Sequence, residues 1–214
     1  MNRSGRLSLL ISLSTLAVLS LTGCASSPPV NYYQLETLNA GPESPAADAP
    51  VLVLGPIILP DYLSRPQMVT HGDGARLNVD DFNRWAEPLD QATIRVLASN
   101  LDGLIRELVV VQPGNRALSA DYRLFASIRG FETDASGTTT LVVQWGVRDM
   151  GGGSLVSPRT GRYEARAGSP QDPQAVARTM SDVLAAFSRD AADTIRASLQ
   201  DTAAPAARPA PAGR

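Results

Sequence analysis

The chain has 214 residues, with 19 basic residues against 21 acidic ones, a single Cys and a single His. All 19 basic residues are Arg. That length suits one domain with flanking segments. The lone Cys rules out an internal disulfide, and the acidic balance argues against a nucleic-acid partner, which needs a basic surface to neutralise phosphates.

The chain opens MNRSGRLSLLISLSTLAVLSLTGCASS. Arg3 and Arg6 form a positive start, and Leu7 to Leu21 is mostly apolar but short for a membrane-spanning helix. The run Leu21-Thr22-Gly23-Cys24 resembles a bacterial lipobox, so residues 1–23 read as a signal peptide. Cys24 reads as the lipidated first residue of the mature chain. Lipidation also disposes of a thiol that would be a hazard in an oxidising compartment. Each buried CH₂ adds about 0.8 kcal/mol of membrane affinity, so several acyl chains anchor stably. Ala25 follows, where an Asp would be the usual inner-membrane retention signal, and this predicts sorting to the outer membrane. Without Arg3 and Arg6, 17 Arg face 21 acids, a net charge of about −4.

Residues 24–30 form a tether. Asn31 to Leu38 reads as a strand, and Asn39 to Pro50 as a Pro/Ala-rich loop. Val51 to Leu59 is a near-continuous apolar run, as in a central strand. Pro56 cannot donate to a ladder, so a bulge or an edge is expected there. Gln67 to Thr70 and Ala75 to Val79 read as a small hairpin around His71-Gly72-Asp73-Gly74. A helix is expected from Pro88, its missing N–H harmless in the first turn, with Glu87 complementing the positive end of the helix dipole. Its apolar stripe reads Leu89, Ile94, Leu97, Leu101, Leu104 and Leu108.

Leu108 to Gln112, Asp121 to Phe131, Thr138 to Asp149 and Ser154 to Ala167 read as strands, the last three alternating in-out. Asp172-Pro173 starts a second helix as N-cap and first position. Its stripe is Val176, Met180, Val183, Leu184, Phe187, Ala191 and Ile195, and it should fade near Leu199. Residues 201–214 read as a disordered Ala/Pro tail. The expectation is a single α/β domain over 31–200, one mixed sheet covered by two long helices, with loops or a partner covering the rest.

Chemistry finds little support. His71 with Asp73 could be a base and its orienter, but a polar turn residue is the simpler reading. No nucleophile elbow, phosphate loop, calcium loop or His/Cys cluster is present, so neither a metal nor another cofactor is called for. Asp80 and Asp81 could pair for glycoside cleavage, but capping the following helix accounts for them better. The expectation is a protein that is not an enzyme.

A combined pattern then emerges. Gly55-Pro56, Leu59-Pro60, Tyr62-Leu63, Arg65-Pro66-Gln67-Met68-Val69-Thr70, Trp85-Ala86-Glu87-Pro88-Leu89 and Val96-Leu97-Ala98-x-Asn100-Leu101, with Tyr32-Tyr33-x-Leu35 upstream, resemble the auxiliary lipoproteins of MCE-type transporters. The resemblance implies a fold like the anticodon-binding and TolB N-terminal type. It also implies an outer-membrane lipoprotein that docks a periplasmic MCE-domain protein in a lipid-transport system, and a homo-oligomeric ring to match a symmetric partner. The rival reading is a lipoprotein that braces another envelope complex without lipid traffic. Trp85 is expected to fix the helix entry beside Glu87 and Pro88. The alternative is a partner surface formed by Arg65, Gln67, Trp85 and Glu87, since Trp and Arg are typical interface anchors.

Overall fold

The computed structural model describes residues 28–38, 45, 46, 48–114 and 119–203. Cys24 and the rest of the signal region, most of the Pro/Ala-rich loop and the tail from 204 onward lie outside the described residues. Eight strands form one mixed sheet: β1 (Asn31–Tyr33), β2 (Val51–Ile58), β3 (Gln67–His71), β4 (Leu77–Trp85), β5 (Val109–Val111), β6 (Tyr122–Thr133), β7 (Thr138–Asp149) and β8 (Ser154–Arg166). The helices are α1 (Leu89–Leu104) and α2 (Pro173–Ala203), and a 3-10 turn spans Asp61–Leu63. This is the α/β architecture expected from the element order.

Strand β6 is the spine. It pairs antiparallel with β7 along its whole length, and β7 pairs antiparallel with β8. Its other edge carries two partners end to end: β2, parallel over the first half, and β3, parallel at Thr70↔Thr133. β4 then adds to β3 and β1 to β4, while β5 adds to β2. Pro56 is tolerated for two reasons. β5 covers β2 only as far as Val53, and the β2–β6 register shifts between Leu54 and Ile57, the bulge that the proline called for. The Gly55–Pro56 peptide bond is cis.

Both helices lie on one face. The register rows Leu124–Val147–Val156, Ile128–Val143 and Phe131–Leu141–Tyr163 point towards them, and α2 sends Val183, Leu184, Phe187 and Ile195 into the same layer. Trp145 and Phe187 meet edge to face, ring centroids 5.6 Å apart, a geometry that adds to simple burial. One apolar cluster runs from Leu35 to Ile195. Where the β6–β7 hairpin turns, Gly137 takes φ +81°, and a Cβ there would sit 2.7 Å from the Ala167 carbonyl oxygen. Only glycine fits that corner.

Several local expectations are corrected. β1 stops at Tyr33, because the chain then leaves the sheet and crosses the helices. The Glu36 N–H donates to Ser181 Oγ of α2, and the Leu38 N–H to Asn100 Oδ1 of α1. α1 ends at Leu104, so Leu108 is buried beyond it, and Ile94 is only half-buried. Leu89, Leu97 and Leu101 are buried as expected, and the buried stripe also takes in Thr93, Val96 and Asn100. Pro88 is the N-cap, with extended ψ, not the first helical residue. Asp172 does cap α2, its Oδ1 accepting the Gln174 N–H at 3.0 Å, and α2 continues past Leu199 to Ala203.

Candidate functional site

Residues 59–66 leave the end of β2, make the 3-10 turn and re-enter the sheet as β3. Leu63, buried, is the turn's apolar foot. Tyr62 is its polar clamp: the phenol donates to Glu132 Oε2 at 2.8 Å, and Glu132 Oε1 lies 3.1 Å from His71 Nε2. The Phe131 N–H donates to the same carboxylate at 2.7 Å. Burial, and then the Glu132 carboxylate, push the Tyr62 phenol well above the ordinary tyrosine range. His71 is therefore the end of β3 and a partner of Glu132. It is not oriented by Asp73, whose backbone carbonyl accepts the Arg76 N–H.

The four residues proposed from sequence as a partner surface separate into different roles. Arg65 is exposed, its Nε donating to the Tyr62 carbonyl at 3.0 Å. Gln67 is half-exposed at the start of β3, opposite Arg84. Trp85 is only 5% exposed, and its N–H donates to the Pro66 carbonyl at 2.7 Å, so its indole is core and its backbone is the hinge of the Arg65-Pro66-Gln67 turn. Glu87 pairs with Arg95 on α1, Nε to Oε1 3.0 Å, while the same guanidinium donates to the Leu35 carbonyl. Glu87 thus braces the helix entry through a side chain two turns along.

Asp80 and Asp81 are neither a carboxylate pair nor helix caps. Both lie within β4, and Asp80 Oδ1 accepts the Phe82 and Asn83 N–H groups at 3.0 and 3.1 Å, stabilising the irregularity where the β3–β4 register shifts. Among the described residues no group of three or more His, Cys, Asp or Glu could hold a metal ion.

The sequence did not single out the surface that joins these parts. With both helices on one face, the other face of β6–β8 is uncovered. Its register rows are Ser127–Gln144–Thr160 and Glu132–Thr140–Glu164. A hollow of about 330 Å³ lies between Arg129, Glu132, Thr140, Arg162 and His71. Ile58, 58% exposed, stands at the end of β2 just before the turn that presents Arg65. The alternation of polar with apolar residues in β6 to β8 was the available signal. Its functional weight depended on which face the helices took.

This geometry offers a contact surface on the open face of the sheet. A family model described as ABC-type transport auxiliary lipoprotein component matches residues 33–192, and the chain belongs to that family. The family is one of transport accessories rather than enzymes. The chain is also similar to the intermembrane transport lipoprotein PqiC of Escherichia coli (strain K12), 30% identical over 142 residues, covering 65% of this chain and 74% of that one. The PqiC of Shigella flexneri matches to the same extent. Among solved structures, protein XCC0632 from Xanthomonas campestris superposes with a TM-score of 0.64 at 17% identity, over 81% of this chain and 99% of that one. An uncharacterised protein superposes at 0.61 with 22% identity, over 80% and 99% of the two chains. These two likenesses speak to the fold.

Proposed function

We propose that this chain is the outer-membrane lipoprotein of a PqiC-like intermembrane lipid-transport system. Cys24 carries the lipid, the domain faces the periplasm, and its task is to dock a periplasmic MCE-domain protein. The observation that supports docking most directly is the Arg65-Pro66-Gln67 turn. It belongs to the sequence pattern that carries the family resemblance, and it is held rigid from below by Leu63, the Tyr62–Glu132 bond and the Trp85 amide. It still leaves Arg65 exposed beside the uncovered sheet face. A rigidly presented Arg suits a partner contact, because little side-chain and loop freedom is left to lose on binding.

A partner of cyclic symmetry is best met by a ring, so the lipid-free domain over residues 25–199 is proposed to self-associate in that way. Light scattering showing a monomer at every concentration, alone and with the partner, would refute the ring. For the anchor, a metabolic fatty-acid probe should label wild type and not Cys24→Ser. For docking, a photo-crosslinker placed at residue 65 in cells should capture an MCE-domain protein. Equal labelling of the Cys24 variant sinks the anchor, and capture of other envelope proteins alone sinks the docking assignment.

A further inference from the structure

Six large hydrophobic side chains are markedly exposed among the described residues: Val30, Tyr32, Ile58, Val79, Phe82 and Met150. Four of them, Val30, Tyr32, Val79 and Phe82, fall in or just before β1 and on β4, which pair with each other. Tyr32 is 65% exposed and Phe82 44%. Both line hollows bounded by the first turns of α2. Phe82 and Val79 share a groove of about 680 Å³ with Pro173 and Val176, and Tyr32 shares a smaller one with Ala177 and Arg178. Apolar exposure concentrated at one corner marks an interaction site more than singly scattered surface residues do.

The corner is also where the chain enters the domain. Val30 is six residues beyond Cys24, and six residues span at most about 21 Å when fully extended. A lipid on Cys24 would therefore keep this corner close to the bilayer whatever the tether's conformation. Tyr and Phe beside Arg84, which is Tyr32's register partner, and Arg178 make a combination suited to a membrane interface, where the aromatic enters the headgroup boundary and the guanidinium stays among phosphates. Asp80 and Asp81 adjoin Phe82, so strongly anionic lipid is not the favoured surface.

We infer that the β1–β4 corner, led by Tyr32 and Phe82, is a second membrane contact that seats the domain on the phospholipid surface to which it is tethered. The inference rests on the lipid anchor proposed above. The seat fixes orientation. The β6–β7 turn, whose Ala135 borders the Phe82 groove, lies towards the lipid. Met150, in the turn after β7, lies at the other end of two paired strands of 12 residues each, roughly 40 Å away. The Met150 end of the domain is thereby aimed away from the lipid.

The test uses the lipidated chain in phosphatidylethanolamine vesicles with a minority of phosphatidylglycerol. Lipidation consumes the Cys24 thiol, and the chain has no other Cys. Tyr32→Cys, Phe82→Cys and Met150→Cys therefore each offer one reactive thiol for an environment-sensitive fluorophore. Positions 32 and 82 should shift to the blue and be quenched by lipid-borne quenchers, and position 150 should do neither. A lipidated chain whose labels at 32 and 82 respond no more than the one at 150 overturns the seat alone. The same shift at 32 and 82 in lipid-free protein, growing with concentration, assigns the corner to a second copy and also overturns it. A chain whose mass shows no lipid on Cys24 overturns the anchor and the seat together.

Discussion

Asn100 of α1 and Ser188 of α2 meet side chain to side chain, Nδ2 to Oγ 3.0 Å, with both residues fully buried at the seam between the helices. The same amide accepts the Leu38 N–H at 2.7 Å. One side chain thus ties two helices and the crossing segment after β1. Asn100→Ala strips two buried or half-buried partners of their bonds. It should cost about 1–3 kcal/mol, a sizeable share of the roughly 5–15 kcal/mol available to a domain. Thermal melts should show a clearly lower Tm, and hydrogen exchange at the Leu38 amide should accelerate. An unchanged melt would show that the amide network contributes nothing net.

Trp85 and Arg65 should fail differently. Trp85→Ala empties a buried aromatic site at the helix entry and should cost about 3–5 kcal/mol. Arg65→Ala removes an exposed side chain and should change stability by no more than about 0.5 kcal/mol, while weakening capture of an MCE-domain partner. Paired melts and pull-downs decide this. A stable Trp85 variant that fails to bind would move Trp85 from core to interface.

The Tyr62 phenol titrates above the usual tyrosine range because burial and the Glu132 carboxylate both disfavour the phenolate. The neutral phenol is the form the fold prefers. Its contribution to stability is therefore complete below the ordinary value of 10.0 and is lost as pH rises through the elevated one. Burial is the larger cause, so Glu132→Gln should lower the Tyr62 titration only part way. Ultraviolet titration of wild type, Glu132→Gln and Tyr62→Phe isolates the signal. A Tyr62 that already titrates at the ordinary value in wild type contradicts the clamp.

Asp134, in the β6–β7 turn, is held below the ordinary carboxylate range, first by the Ser136 hydroxyl, 2.6 Å from Oδ1, and then by the Thr138 N–H. A depressed carboxylate stabilises the fold above its unfolded pKa, and that help is lost as pH falls through the lowered value. Ser136→Ala should move the Asp134 titration upward, read by carboxyl carbon NMR. No movement would leave the hydroxyl without a role.

The sequence by itself determined the element types, because periodicity is a local property. Leu141, Val143, Trp145 and Val147 alternate, and Val176 to Ile195 recurs at helical spacing. No tertiary partner is needed to read either pattern. Pro56 announced its bulge because a missing N–H is a covalent fact, and Asp172-Pro173 announced a helix start for the same kind of reason. Tertiary structure alone decided where long-range partners met. Nothing local distinguishes the Glu132 that clamps Tyr62 from any other strand glutamate, because the two are 70 residues apart. Asp80-Asp81 looked like caps because the sequence does not show that β4 runs on to Trp85. Trp85 was expected to pack at the helix entry, but its amide's bond to Pro66 and Glu87's pairing with Arg95 are contacts that local patterns did not show. Which sheet face the helices cover is set by chain crossings rather than by any one residue, so the open face of β6–β8 and the apolar corner at Tyr32 and Phe82 became visible only in three dimensions.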